Sequence, residues 1–242
     1  MAIIPNDQLK LMITVFNGDP ADPNCKGEPQ VCNNDGLDFS LDSPPLLMVE
    51  GSYKYNQYKL AGTIKLGGWN HFGNFMDQRL DAGGQPIAVT GLPGKVIHDD
   101  FGLYAVVDQP VWRASGSAEK GVDLFGRVVA APIDQNLVDF YADGWVNFSG
   151  VVPHRPDDSL AMGFAYAGFS SRAHGFDLDA GLPVARTFEA LLEICYTLQL
   201  KSGWTLQPDF QHIWRPGGGV PNDAGGTVGD ATVVGVRTTL NF

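Results

Sequence analysis

"TFEALLEICYTLQLK", residues 187–201, admits two folds. Its residues are good helix formers, and a buried helix suits their composition. Counted in steps of two, however, Phe188, Ala190, Leu192, Ile194, Tyr196, Leu198 and Leu200 fall on one face. Glu189, Glu193, Thr197, Gln199 and Lys201 fall on the other. On a helix that spacing would wrap the apolar residues all the way round and scatter both glutamates among them. On a strand it makes one greasy face and one polar face. The spacing predicts a strand.

The same period recurs on both sides of this stretch. Ten strands are expected, at about 9–16, 46–56, 60–71, 101–113, 122–131, 137–150, 160–167, 187–201, 204–211 and 230–242. In 137–150, Val138, Phe140, Ala142, Val146 and Phe148 alternate with Asp139, Tyr141, Asp143, Trp145 and Asn147. The chain ends the same way, with Val234, Val236, Thr238, Leu240 and Phe242 set against Gly235, Arg237, Thr239 and Asn241. Stretch 101–113 is ambiguous in phase and carries Pro110.

The connections alternate in length. Links 17–45, 71–100, 170–186 and 215–229 are long, and links 57–59, 114–120, 151–158 and 202–203 are shorter. Only "PIDQN", residues 132–136, is short on the long side. Such parity predicts an antiparallel up-and-down sheet, with short turns at one rim and long loops at the other. The last strand is expected to close that sheet.

Composition narrows the setting. A formal charge of -11 argues against nucleic acid as a partner. No apolar run reaches the length of a membrane helix, but a membrane strand needs only about 9–11 residues, half of which can be polar. Tyr53, Tyr55, Phe148, Tyr196, Trp204 and Trp214 stand near strand ends on or near the apolar face, as interfacial girdles do. The expectation is one all-β domain over 1–242, a transmembrane β-barrel whose apolar face meets lipid and whose polar face surrounds water. The competing arrangement is a soluble β-sandwich or lipocalin-like binding protein, with the apolar face packed into a dry interior.

No catalytic or metal constellation stands out. His71, His98, His154, His174 and His212 are scattered, and "HDD" at 98–100 reads as a solvated turn. "RPGGGVPNDAGG" lacks the Lys-Ser/Thr pair of a phosphate loop. No cofactor is expected, and a barrel enzyme or a purely structural barrel remains the alternative on this architecture. Cys25 and Cys32, in a polar loop stretch, make either a loop disulfide or two free thiols. Cys195 reads as a small packing residue. The start, "MAIIPNDQLK", lacks the regions of a signal peptide.

Several stretches, taken together and in order, resemble the carbohydrate-selective porin family of Gram-negative outer membranes, the OprB type. They are "VFNGDPADP", "GLDFSLDSPPLLMVEGSYKYN", "GLYAVVDQPVWR", "LFGRVVAAPIDQNLVDFYADGWVNFSGVVPHRPDDSLAMGFAYAGFS", "TLQPDFQHIWRPGG" and "VVGVRTTLNF". The resemblance implies an outer-membrane barrel that admits monosaccharides, glucose-like sugars above all, by facilitated diffusion. It also implies about sixteen strands and an export signal. This chain would then be the C-terminal part, with about ten strands present and the N-terminal strands and signal peptide absent. Its terminal Phe242 resembles the residue read by the barrel-assembly machinery.

By phase, the sugar path is expected along Glu50, Lys54, Lys65, Trp69, Asp123, Arg127, Asp139, Tyr141, Asp143, Trp145, Glu189, Glu193, Asp209, Gln211 and Arg237. Carboxylates, amides and guanidinium groups replace the hydration of sugar hydroxyls, which both donate and accept. The loop 71–84, with Asp77, Arg79 and Asp81, is the expected inward-folding segment.

Overall fold

The computed structural model describes residues 1–19, 31, 43–57, 59–222 and 226–241. Cys25, Cys32 and Phe242, named above for a disulfide and for assembly, lie outside the described residues.

The strands are β1 Ala2–Ile3, β2 Leu9–Asn17, β3 Pro45–Gln57, β4 Leu60–Asp81, β5 Gly94–Arg113, β6 Gly121–Ala130, β7 Val138–Ser149, β8 Ser159–Phe169, β9 Phe188–Lys201, β10 Trp204–Trp214 and β11 Ala231–Leu240. They form one sheet in chain order, every neighbour antiparallel. The decisive stretch 187–201 is therefore strand β9, and all ten expected strands are present. Two short α-helices, α1 Ile87–Thr90 and α2 Ser171–Asp179, and the 3-10 helix Pro216–Gly218 lie in the described connections.

Four findings differ from the sequence reading. Segment 71–84 is not a loop, because β4 runs on to Asp81 and β5 begins at Gly94, so the two make a tall hairpin above the long-loop rim. The "HDD" triplet likewise lies inside β5. There Asp100 Oδ1 accepts hydrogen bonds from Gln135 and Asn136, and His98 Nδ1 lies 2.6 Å from Asn74 Oδ1. Link 170–186 holds helix α2. Last, the sheet does not close on itself. Among the described residues β11 pairs with β10 alone, and β2 pairs with β3 and the two-residue β1.

The cross-strand register fixes which side chains share a face. One rung runs Leu11–Gly51–Leu66–Ala105–Val128–Ala142–Tyr166–Ala190. Another runs Ile13–Val49–Gly68–Leu103–Ala130–Phe140–Gly168–Phe188. This face is apolar and bare. Leu66 is 61% exposed, Phe164 48% and Phe140 43%. Among the described residues only Ala173 and Ala190 are buried hydrophobic side chains. A soluble sandwich of this size would bury dozens of large apolar groups, since burial is the main drive to fold in water. A sheet that leaves them outside is built for hydrocarbon.

Aromatic residues mark the edges of that apolar band. Trp204 and Trp214 are on the same face at opposite ends of β10. Ten residues of strand tilted about 45° rise about 24 Å, the height of an outer-membrane apolar band. At the long-loop rim Phe140, Tyr166 and Phe188 form a row, with ring centroids 6.4 and 5.5 Å apart. At the short-turn rim the Tyr196 hydroxyl donates to Asp158 Oδ2 at 2.7 Å. Its ring stays in the girdle while its polar tip holds the 150–158 turn.

Candidate functional site

The polar residues chosen by phase come together on the other face. Glu50, Tyr141 and Glu189 lie on one rung through Gly67, Tyr104, Val129 and Ala167. The next rung holds Lys65, Arg127 and Asp143. Below it lie Lys54, Trp145, Glu193 and Gln211, then Asp123 and Asp209. Trp69 stands two residues above Gly67 on β4, and Arg237 lies opposite Gln207, two residues from Asp209. Asp139 sits at the upper end of β7, where the pairing with β8 shifts by a residue.

Apart from Trp69 and Asp139, these side chains divide into two groups. The first is tied across strands. Arg127 Nε donates to Asp143 Oδ1 at 2.8 Å, and its guanidinium lies 5.3 Å from the centre of the Tyr141 ring. Trp145 Nε1 donates to the second Asp143 oxygen at 3.3 Å. The Asp143 side chain is only 5% exposed. Arg113 pairs with Asp123, Tyr104 Oη donates to Glu50 Oε2 at 2.8 Å, and Glu189 Oε2 accepts from the Gly217 amide at 2.6 Å. These groups hold the shape of the wall. The second group makes no side-chain hydrogen bond or ion pair within the described residues: Lys54, Lys65, Glu193, Asp209, Gln211 and Arg237. Their polar atoms are left for solvent or solute. Cys195 shares the Asp209 rung, so it faces the polar side and receives a weak hydrogen bond from Gln207.

Above the rim, helix α2 ties β8 to the β4–β5 hairpin, across the ends of the strands between them. Ser170 caps it, its Oγ accepting from the Ala173 amide at 3.2 Å. Arg79 reaches from β4 to grip Asp179 with two prongs, at 2.6 and 3.1 Å. Gly175 makes room for this, because a Cβ there would collide with the guanidinium. Arg172 pairs with Asp134 at 2.7 Å and Asp77 at 3.6 Å. Arg186 holds Asp177, only 1% exposed, with two side-chain bonds and its own backbone amide. Burial alone would raise the Asp177 carboxyl, but the bonds from Arg186 overcome it and hold the group below the ordinary carboxylate range. The Arg79 hydrogen bond likewise lowers Asp179.

Phase alone misses Tyr104, because stretch 101–113 has no clean alternation. It also misses Arg172 and Arg186, whose partners are distant in sequence or on a helix. Among the described residues no group of His, Cys, Asp and Glu converges as metal ligands.

A family model described as carbohydrate-selective porin, OprB family, matches residues 3–242. Porin B of Pseudomonas aeruginosa is 26% identical over an alignment of 178 residues that covers 68% of this chain and 39% of that protein. The high-pH structure of Pseudomonas putida OprB superimposes with a TM-score of 0.83 at 21% identity, covering all of this chain and 57% of that one. The latter likeness speaks for the fold. The chain spans less than two thirds of the length of both relatives.

Proposed function

The chain belongs to the carbohydrate-selective porin, OprB family, and from that premise we propose that it forms the wall of a water-filled channel through which monosaccharides such as glucose diffuse. Its setting is the Gram-negative outer membrane, and its work is passage, not catalysis. One observation carries the reading: charged and amide side chains gather on one face while the opposite face is bare and apolar. A sugar crossing such a wall trades water for Glu193, Asp209, Gln211, Arg237, Lys54 and Lys65, then trades back. Groups already satisfied by one another, such as Arg127 and Asp143, keep the wall in shape.

A channel needs a closed wall, and in lipid no strand edge can keep its backbone groups unpaired. Among the described residues β11 and most of β2 lack an outer partner, so in this reading further strands meet those edges and this chain is one arc of a larger barrel. Its coverage of 57% of the OprB structure supports this reading. Phe242 is the contact for the barrel-assembly machinery.

Sugar flux into proteoliposomes carrying the closed barrel that contains this arc tests the proposal. Replacing Glu193, Asp209 and Gln211 together by Ala is expected to change glucose flux by about threefold to tenfold, the value of about one net hydrogen bond. Flux no greater than with an inert membrane protein, or flux blind to all three changes, would contradict it.

A further inference from the structure

Three glycines on the polar face are overlain by a ring from the strand beside them. Trp69 lies over Gly102, Tyr104 over Gly67 and Trp145 over Gly163, so closely that a Cβ at any of these glycines would strike the ring. The first two are reciprocal. Gly67 faces Tyr104 and Trp69 faces Gly102 on neighbouring rungs of β4 and β5. Each ring therefore reaches across to the other strand and covers its glycine, and the two rings tile about 7 Å of wall along the strands. The Tyr104 hydroxyl reaches on to Glu50 of β3, which fixes its ring and leaves the other Glu50 oxygen without a partner among the described residues. Lys65, one rung below, also has no partner among the described residues. An apolar tile is thus flanked by a carboxylate oxygen and an ammonium group.

We propose that Trp69 and Tyr104 form a stacking subsite for a pyranose, with Glu50 and Lys65 taking its ring-edge hydroxyls. The proposal rests on the sugar-passage reading and adds where a sugar pauses. A pyranose in the chair form has a face of axial C–H bonds, and β-glucose presents H1, H3 and H5 there. That face matches an aromatic tile, and the equatorial hydroxyls point outward to donors and acceptors at its rim. An open-chain polyol has no such face.

Saturation-transfer NMR tests this on the full chain in detergent micelles, with D-glucose and D-mannitol as the probes. Transfer to H1, H3 and H5 of β-glucose is expected to exceed transfer to the other ring protons, and mannitol is expected to show little. Trp69→Ala is expected to weaken glucose transfer by about fivefold to tenfold. Trp69→Phe is expected to keep most of it, and Gly102→Ala, which lifts the indole off the wall, to lower it. Circular dichroism of each variant checks that strand content is unchanged. Even transfer over all ring protons, or Trp69→Ala equal to the parent, overturns the subsite. Flux in proteoliposomes carrying the closed barrel separates the two readings. Flux with no Trp69-dependent transfer sinks the subsite alone. Trp69-dependent transfer without flux sinks the passage reading and leaves the subsite.

Discussion

Phe164→Arg is expected to destabilise the membrane-embedded protein by about 2–4 kcal/mol, the penalty for a cation on the lipid face near mid-membrane. Ala165→Arg, one residue along, is expected to change stability little. Phe164 is the central residue of β8, on the bare face, with its ring 6.3 Å from that of Trp214. An arginine there meets hydrocarbon, and the ring contact is lost as well. Ala165 pairs with Asp143 on the polar face. An arginine there enters water beside a carboxylate. Urea unfolding in lipid vesicles measures both variants. Equal effects, or a larger effect at 165, would mean that the two faces are assigned the wrong way round.

Asp177→Ala is expected to release the α2 junction at a cost of about 3 kcal/mol, because it leaves the Arg186 guanidinium without its buried partner. The loss should be local, read as faster proteolysis within 170–186 while the strands stay protected. Acid should act in the same direction. Asp177 and Asp179 are both held below the ordinary carboxylate range in the folded protein. A group so lowered stabilises the fold above its unfolded pKa, and the gain is lost as pH falls through its folded value. The junction should therefore hold at neutral pH and open only below about pH 4. A junction that loosens instead as pH rises past neutral would contradict the role given to these two carboxylates.

Where alternation is unbroken, the sequence carries the fold. In β8, in β7 beyond the slip at Asp139 and in β9 as far as Gln199, each side chain's face follows from counting by twos, and the polar residues picked there do share a face. Alternation fails where pairing slips. The register shifts between His71 and Asn74 on β4, so the phase below the slip says nothing of the residues above it. Stretch 71–84 therefore reads as a loop, although much of it is strand. Pro110 sits at a similar slip in β5, which blurs the phase of Tyr104. Helix α2, "SRAHGFDLD", buries Ala173, Gly175 and Asp177, not an apolar stripe. Its reason to be helical lies in Arg79, a hundred residues earlier in the chain. The aromatic tile needs the register itself, since Trp69 and Gly102 are neighbours only once β4 and β5 are aligned.

Cys195 offers a native probe of which face meets water. In a Cys25→Ser, Cys32→Ser background, a charged thiol reagent that cannot enter lipid is expected to modify Cys195 in the bilayer-embedded protein. With Cys195→Ser and Ile194→Cys added, the new thiol is expected to resist the same reagent, because position 194 belongs to the apolar face between Met162 and Phe210. Modification at 194 with protection at 195 would place the charged residues against lipid or in a dry interior, and no aqueous path along this wall would survive that result.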